Sequence, residues 1–437
     1  MTLALAVFGA MLALMALRVP IAAAMFVPGA VGYWLLAGEA PLLNHLKGAV
    51  WARFSNYDLT VIPLFLLMGQ FASQGGLSRD LFRAANALVG RLRGGMAMAA
   101  VLACAAFGAI CGSSVATAAT IGQVALPEMR RAGYSGRLAT ATLAAGGTLG
   151  ILVPPSVVLV IYAILAEQSV GKLFAAALVP AAIAALGYVV AIAVQVRRHP
   201  ELAPPPPAPA PGSHWRELAA VWPVLAIFFT VFGGIYGGLF TPTEGAAVGA
   251  AATLVLALLR GELDVASLGR CFLGTAETTA MVFLIFVGAD MLNATLALSQ
   301  VPAQVAQAVA AMDLPPLLVV AAILLFYVLL GAVMDELAMI VLTIPVLFPA
   351  VMGLDLWGLA AADKAIWFGI LVLMVVEVGL IAPPVGLNVY VIHGLARDVP
   401  MAETYRGVMP FLISAAFRIL LLLVFPSVSL FLVGWMG

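Results

Sequence analysis

The 437-residue chain is 64% apolar and only 9% charged, with a formal net charge of zero. Soluble domains carry roughly 25% charged residues, so water is not the main solvent of this surface, and neutrality gives no electrostatic basis for nucleic-acid binding. Apolar runs fill nearly the whole length and contain Gly and Pro without the ten-residue alternation of a membrane β-barrel, so the expected fold class is an all-α polytopic membrane protein.

The first apolar run precedes the first basic residue, Arg18. A cleaved signal peptide carries its positive charge before the run, so this one is expected to remain as a helix. Basic residues then gather at Arg79, Arg83, Arg91 and Arg93, at Arg130, Arg131 and Arg137, and at Arg197, Arg198 and Arg216. Arg and Lys near helix ends favour the cytoplasm. The first two clusters flank Met96–Leu126, which is broken by Gly112-Ser113-Ser114 into arms Met96–Cys111 and Val115–Leu126. At 1.5 Å per residue the arms reach about 24 and 18 Å, short of a core roughly 30 Å thick. Short arms with both ends on one side predict a re-entrant hairpin whose polar tip lies near mid-membrane. A tight pair of ordinary spans is the alternative.

Next comes the long apolar run Leu138–Ala166, interrupted by Gly150-x-x-x-Pro154-Pro155. The segment 199–217 is rich in proline, including Pro204–Pro207, Pro209 and Pro211, and should form a stiff extended cytoplasmic spacer. It separates two membrane halves, 1–198 and 218–437. The second half contains apolar runs long enough to cross a membrane, Leu218–Leu239 and Phe411–Trp435. It also repeats the earlier punctuation. Leu317–Met352 is interrupted at Asp335-Glu336, with flanks that hold acidic residues (Asp313, Asp355, Asp363) and no Lys or Arg. Ala365–His393 carries Gly379-x-x-x-Pro383-Pro384. The pair Gly108-Ala109 before Pro127 likewise resembles Gly331-Ala332 before Pro349.

Crossing by crossing, Arg18, Arg79–Arg93, Arg197, Arg260, Arg270 and Arg397 fall inside. Ser55–Asp58, Glu167–Lys172, Thr241–Glu244 and Lys364 fall outside, with Lys47, Arg53, Lys172 and Lys364 as the basic minority on the wrong side. The second hairpin then enters from the outside, so the halves are inverted repeats with paired broken helices, an architecture of secondary transporters with the site at the breaks. A Cys at Gly212 should therefore react with an impermeant thiol reagent only from the cytoplasm, and periplasmic labelling would overturn this map.

The breaks define the candidate chemistry. Proline lacks an N–H and suits a first helical turn, so each double proline should end one half-helix and begin another. Half-helix N-termini suit an anion, and the carbonyl ends at Leu149–Val153 and Val378–Ala382 suit Na⁺. The substrate candidates are Ser113, Ser114, Thr117, Pro154, Pro155, Ser156 and Asn388. The cation candidates are Gly112, Gly147, Thr148, Gly150, Asp335, Glu336, Gly379, Pro383 and Pro384. Each has a structural alternative: a hydroxyl can back-bond to the preceding turn, and Asp335 can be a helix cap. Glu377 flanks the second double proline and is open between the two readings. Asp290 and Asn293 read as interhelical hydrogen-bonders. No Arg or Lys lies at either break, so an anion has to be balanced by helix N-termini and co-bound cations. Cys104, Cys111 and Cys271 read as buried hydrophobes. The four histidines (His45, His199, His214, His393) show no ligand spacing, so no transition metal is expected.

At Gly108–Gly122, Ala144–Ala163, Gly234–Gly249, Gly331–Pro349 and Gly379–Asn388 the chain resembles the large membrane (M) subunit of TRAP transporters, the DctM-like family. The resemblance covers nearly the whole chain. It implies a Na⁺-coupled elevator-type importer of the bacterial inner membrane, with no organic cofactor, that moves a small organic anion (carboxylate or sulfonate). A soluble periplasmic binding protein would deliver that anion. A smaller four-helix membrane partner is also implied, expected as a separate chain because no extra helices precede Met1. Val115 follows the first hairpin tip where family members often carry a small residue. Two alternatives stay open: a self-sufficient carboxylate symporter, and a membrane-embedded enzyme, for which no H-E-x-x-H or G-x-S-x-G motif is present.

Overall fold

A computed structural model describes residues 2–205, 214–311, 314–332 and 334–436, and among these the chain forms helices and no strand. The first half contains α1 (Thr2–Ala16), α2 (Ile21–Ala37), α3 (Glu39–Phe54), α4 (Val61–Gln74), α5 (Leu77–Val89), α6 (Gly95–Cys111), α7 (Ser114–Arg131), α8 (Gly136–Leu152), α9 (Val157–Leu165) and α10 (Val170–Arg198). The second contains α11 (His214–Ala219), α12 (Trp222–Tyr236), α13 (Pro242–Leu259), α14 (Val265–Leu298), α15 (Val301–Ala311), α16 (Pro316–Gly331), α17 (Glu336–Met352), α18 (Ala361–Gly379), α19 (Leu387–Leu395), α20 (Met401–Val424) and α21 (Ser427–Leu430).

Short polar residues set many of these starts, because a side-chain oxygen can satisfy the first free N–H groups of a helix. Ser135, Ser156, Ser169 and Asp264 cap α8, α9, α10 and α14 in this way. The Thr241-Pro242-Thr243-Glu244 segment is a reciprocal capping box at the start of α13. The Thr241 hydroxyl accepts from the Glu244 N–H, and the Glu244 carboxylate accepts from the Thr241 N–H.

Among the described residues, five helical stretches are long and apolar enough to cross a bilayer alone: α10, Glu217–Tyr236, α13, α14 and α20. Two bent pairs could each add a span, Tyr57–Gln74 with α5 at 69° and α8 with α9 at 42°. The sequence reading needs correction at four boundaries. The second arm of the first hairpin is not the 12-residue Val115–Leu126 but the 18-residue α7, which continues through Pro127. Having no N–H, Pro127 leaves the Gln123 carbonyl without its usual intrahelical donor. The apolar run Phe411–Trp435 is not one span, since α20 ends at Val424 and Pro426 follows. The spacer is helical from His214, so a boundary at 217/218 cuts α11. The double prolines precede the half-helices instead of opening them, because the caps of α9 and α19 are Ser156 and Gly386. Gly212 and Asp313 lie outside the described residues.

Ion pairs tie connections that are distant in sequence: Arg130 pairs with Asp398 at 2.5 Å, Arg260 pairs with Asp80 at 2.5 Å, and Arg79 lies 3.9 Å from Glu262. The Arg137 guanidinium donates to the Arg406 carbonyl. Elsewhere Asn56–Asp58, Glu167–Ser169 and Thr241–Thr243 line one polar hollow of about 530 Å³.

Packing pairs the halves reciprocally. Helix α2 lies along α14 as α13 lies along α4, and α7 meets α19 as α17 meets α9. Helices α6 and α8 cross where Gly108 faces Gly150, and α16 and α18 cross where Gly331 faces Gly379. A Cβ on Gly108 would come within 2.8 Å of the Gly150 Cα, and one on Gly379 within 2.7 Å of the Gly331 Cα. Backbone cannot swing aside as a side chain can, so Gly379→Ala should cost about 1–3 kcal/mol of stability. Gly9→Ala on α1, where nothing lies within 4 Å, should cost nothing. Equal thermal midpoints for the two variants in detergent would refute this close packing.

Candidate functional site

The first hairpin turns at Gly112, whose φ of 65° is the left-handed conformation that glycine adopts without strain. Its position is doubly demanding, because a Cβ there would sit 2.5 Å from the Pro155 carbonyl oxygen. The tip therefore lies directly against the first double-proline break. Ser113 caps α7, its hydroxyl accepting from the Ala116 N–H at 3.4 Å. Ser114 is buried, and its hydroxyl donates to Glu336 Oε1 at 3.0 Å across 222 residues of sequence. The two hairpin tips meet at this hydrogen bond.

On the second tip, Asp335 is the N-cap of α17 and accepts from the N–H groups of Leu337 at 2.9 Å and Ala338 at 3.3 Å. Glu336 differs. One oxygen holds Ser114, while Oε2 is buried with no hydrogen-bond partner. Thr117 Oγ1 is also buried and unpartnered, against the Gly150 backbone. A buried oxygen without a donor costs stability unless something else satisfies it, so these two atoms are the best-placed protein oxygens for a ligand.

The broken helices supply the remaining wall. Ser156 caps α9 by accepting from the Leu159 N–H at 3.2 Å, so its hydroxyl is engaged locally. The Pro154-Pro155 and Pro383-Pro384 peptide bonds are both cis. Asn388 is buried on α19 and donates to the Ala144 carbonyl of α8 at 3.2 Å, leaving its own carbonyl oxygen unpartnered. Gly147 packs against α7, where a Cβ would meet the Ala118 Cβ at 2.5 Å. Asn293 donates from α14 to the Val341 carbonyl of α17 at 3.0 Å, the interhelical bond read from the sequence.

A cavity of about 910 Å³ opens beside the tips. Gly112, Ser113 and Asp335–Leu337 face it from the tips, Ile151, Val157 and Leu387 from the breaks, and Glu277–Ile285 of α14 from the opposite wall, with Arg18 beside α1. Of the candidates, Gly112, Ser113, Asp335 and Glu336 line this space, whereas Ser114, Thr117, Gly147, Gly150, Ser156, Asn388, Gly379 and the double prolines are not among its lining residues. Thr148 points away and joins a separate buried network, in which its hydroxyl lies 2.7 Å from Glu377 Oε1 and Tyr188 donates to the same oxygen at 3.1 Å.

That network holds the main omission of the sequence reading. Arg418, 2% exposed, donates to Glu377 Oε2 at 2.5 Å and stacks over the Tyr188 ring. A basic residue is therefore paired with Glu377, two positions before Gly379, although no Arg or Lys lies near either break in sequence. The signal was an arginine inside the apolar stretch of α20, since an intramembrane charge is costly and needs a partner. Among the described residues no cluster of His, Cys, Asp or Glu could hold a metal ion of the transition type.

With this geometry in place, the comparisons are specific. The profile "Tripartite ATP-independent periplasmic transporter, DctM component" matches residues 8–428. The chain is similar to the C4-dicarboxylate TRAP transporter large permease protein DctM of Pseudomonas aeruginosa, 36% identical over 385 residues and covering 87% of each chain. It is also similar to the isethionate TRAP transporter permease protein DctMQ of Oleidesulfovibrio alaskensis, 31% identical over 98% of this chain and 66% of that one. Among solved structures, the YdaH transporter of Alcanivorax borkumensis shares the fold, with a TM-score of 0.60, 16% identity and 89% of each chain covered.

Proposed function

Because the chain belongs to the DctM component family of tripartite ATP-independent periplasmic transporters, multi-pass proteins of the bacterial inner membrane, we propose that it couples entry of Na⁺ to uptake of a small organic carboxylate or sulfonate. The observation that carries this reading is the Ser114–Glu336 contact, which joins two helix-interrupting tips over the 910 Å³ cavity. Unpartnered buried oxygens on Thr117 and Glu336 are hard ligands of the kind Na⁺ takes. Free N–H groups at the half-helix starts suit the anion.

The tips and broken helices α6–α9 and α16–α19 form the moving element, and α2, α4, α13 and α14 the static frame, so an elevator displacement of one against the other gives alternating access. A periplasmic binding protein hands over the anion, and a small membrane subunit accompanies the frame. The relatives' names, C4-dicarboxylate and isethionate, support the substrate class.

Uptake of labelled succinate and isethionate into proteoliposomes holding the assembled complex tests each part. Transport should need the binding protein and rise sigmoidally with external Na⁺. Uptake by this chain alone would favour a self-sufficient symporter. Uptake undiminished when choline replaces Na⁺ would remove sodium coupling.

A further inference from the structure

The cavity wall has an uneven charge. Glu277, Asp335 and Glu336 line it with carboxylates, and Arg18 is the one permanently cationic side chain among the lining residues. Arg418 cannot serve there, because it is buried against Glu377. Arg18 is exposed and makes no ion pair among the described residues.

Its backbone is informative as well. The turn after α1 closes with the Arg18 N–H donating to the Met15 carbonyl at 2.9 Å and the Val19 N–H to the Leu14 carbonyl at 3.0 Å. That is a Schellman ending, and its left-handed position is ordinarily glycine. Arg18 occupies it with φ 64°. Glu167, Gln300 and Trp357 share this conformation, but of the four only Arg18 lines the cavity, together with Asp335 and Glu336 of the second tip.

We infer that Arg18 is an anion-docking position on the scaffold wall of the cavity, receiving a carboxylate or sulfonate group as it leaves the moving core. The guanidinium fork matches both groups in geometry and stays charged at any working pH. The location also suits release: an anion that loses its co-bound cations to the cytoplasm faces three carboxylates and one cation, so its most favourable contact is Arg18. The substrate class and the division into moving core and scaffold rest on the proposed function; the positive charge that Arg18 brings to the cavity does not.

The test uses the full-length protein in inside-out membrane vesicles, with Cys104, Cys111 and Cys271 replaced by Ala and a reporter introduced by Met281→Cys on the cavity wall. Its rate of modification is compared for a sulfonate-bearing methanethiosulfonate and a trimethylammonium-bearing one. Arg18→Asn removes the charge while keeping a residue that tolerates the left-handed turn. It should lower the anionic-to-cationic rate ratio by roughly threefold or more, as loss of one nearby charge predicts, and Arg18→Lys should restore the ratio. An unmoved ratio in Arg18→Asn, or no recovery with Lys, would overturn the docking position. Because the readout needs no transport, failure of the uptake experiments would leave it standing, and an unmoved ratio would remove it even in a fully active transporter.

Discussion

Arg418→Met should destabilise the protein by roughly 3–5 kcal/mol, because it strips a buried carboxylate of its only counter-charge. Glu377 is fully buried, and its two oxygens are engaged by Arg418, Thr148 and Tyr188. After the substitution the two hydroxyls remain, but neutral donors compensate a desolvated charge far less well than a guanidinium. Glu377→Gln alone should be comparably destabilising. It keeps an acceptor for Thr148 and Tyr188 and leaves Arg418 as the uncompensated partner over the Tyr188 ring. The double variant Glu377→Gln/Arg418→Met removes both charges and should recover most of the loss, since a buried pair replaced as a unit is often nearly neutral. Thermal unfolding of the four proteins in detergent gives the coupling directly. A single Arg418→Met variant that melts with the wild type, or a double variant no better than Arg418→Met, would show that the pair is not the electrostatic unit described.

The network also explains which part of the site was legible in the sequence. Helix interruptions were readable, because Gly112-Ser113-Ser114, Asp335-Glu336 and the double prolines are local features that no continuous apolar helix tolerates. The starts of α7 and α17 followed from residues that cap helices wherever they occur. What these residues touch was not readable. Ser114 finds Glu336 across 222 positions, and Thr148 finds Glu377 across 229. Nothing local distinguishes Thr148, which turns to Glu377, from Thr117, which is left without a partner beside Gly150. Arg418 was visible as a charge in an apolar run, but its partner is set by the packing of α18 on α20. One helix end was misjudged at Pro127, an exposed residue that α7 passes through before ending at Arg131.

Contacts at the second tip distinguish the two carboxylates that the sequence offers as cation candidates. The Asp335 oxygens accept the Leu337 and Ala338 N–H groups, which is the work of a cap. Asn can do most of that work, so Asp335→Asn should leave the Na⁺ dependence of uptake within about twofold of wild type, a free-energy change well under 1 kcal/mol. Glu336 has one oxygen on Ser114 and the other buried without a donor. In Glu336→Gln the carbonyl oxygen can still accept from Ser114, so the contact between the tips survives, but the charge and the free carboxylate oxygen are lost. If a cation completes that oxygen's coordination, the half-saturating Na⁺ concentration should rise at least tenfold, equivalent to about 1.4 kcal/mol of cation affinity. Ser114→Ala separates the remaining possibility. It breaks the hydrogen bond and keeps the charge, so a contact needed only for holding the tips together would make Ser114→Ala as damaging as Glu336→Gln. Sodium titrations of uptake by the three variants decide the assignment: a shift confined to Asp335→Asn, with Glu336→Gln unchanged, would return the cation to the cap residue.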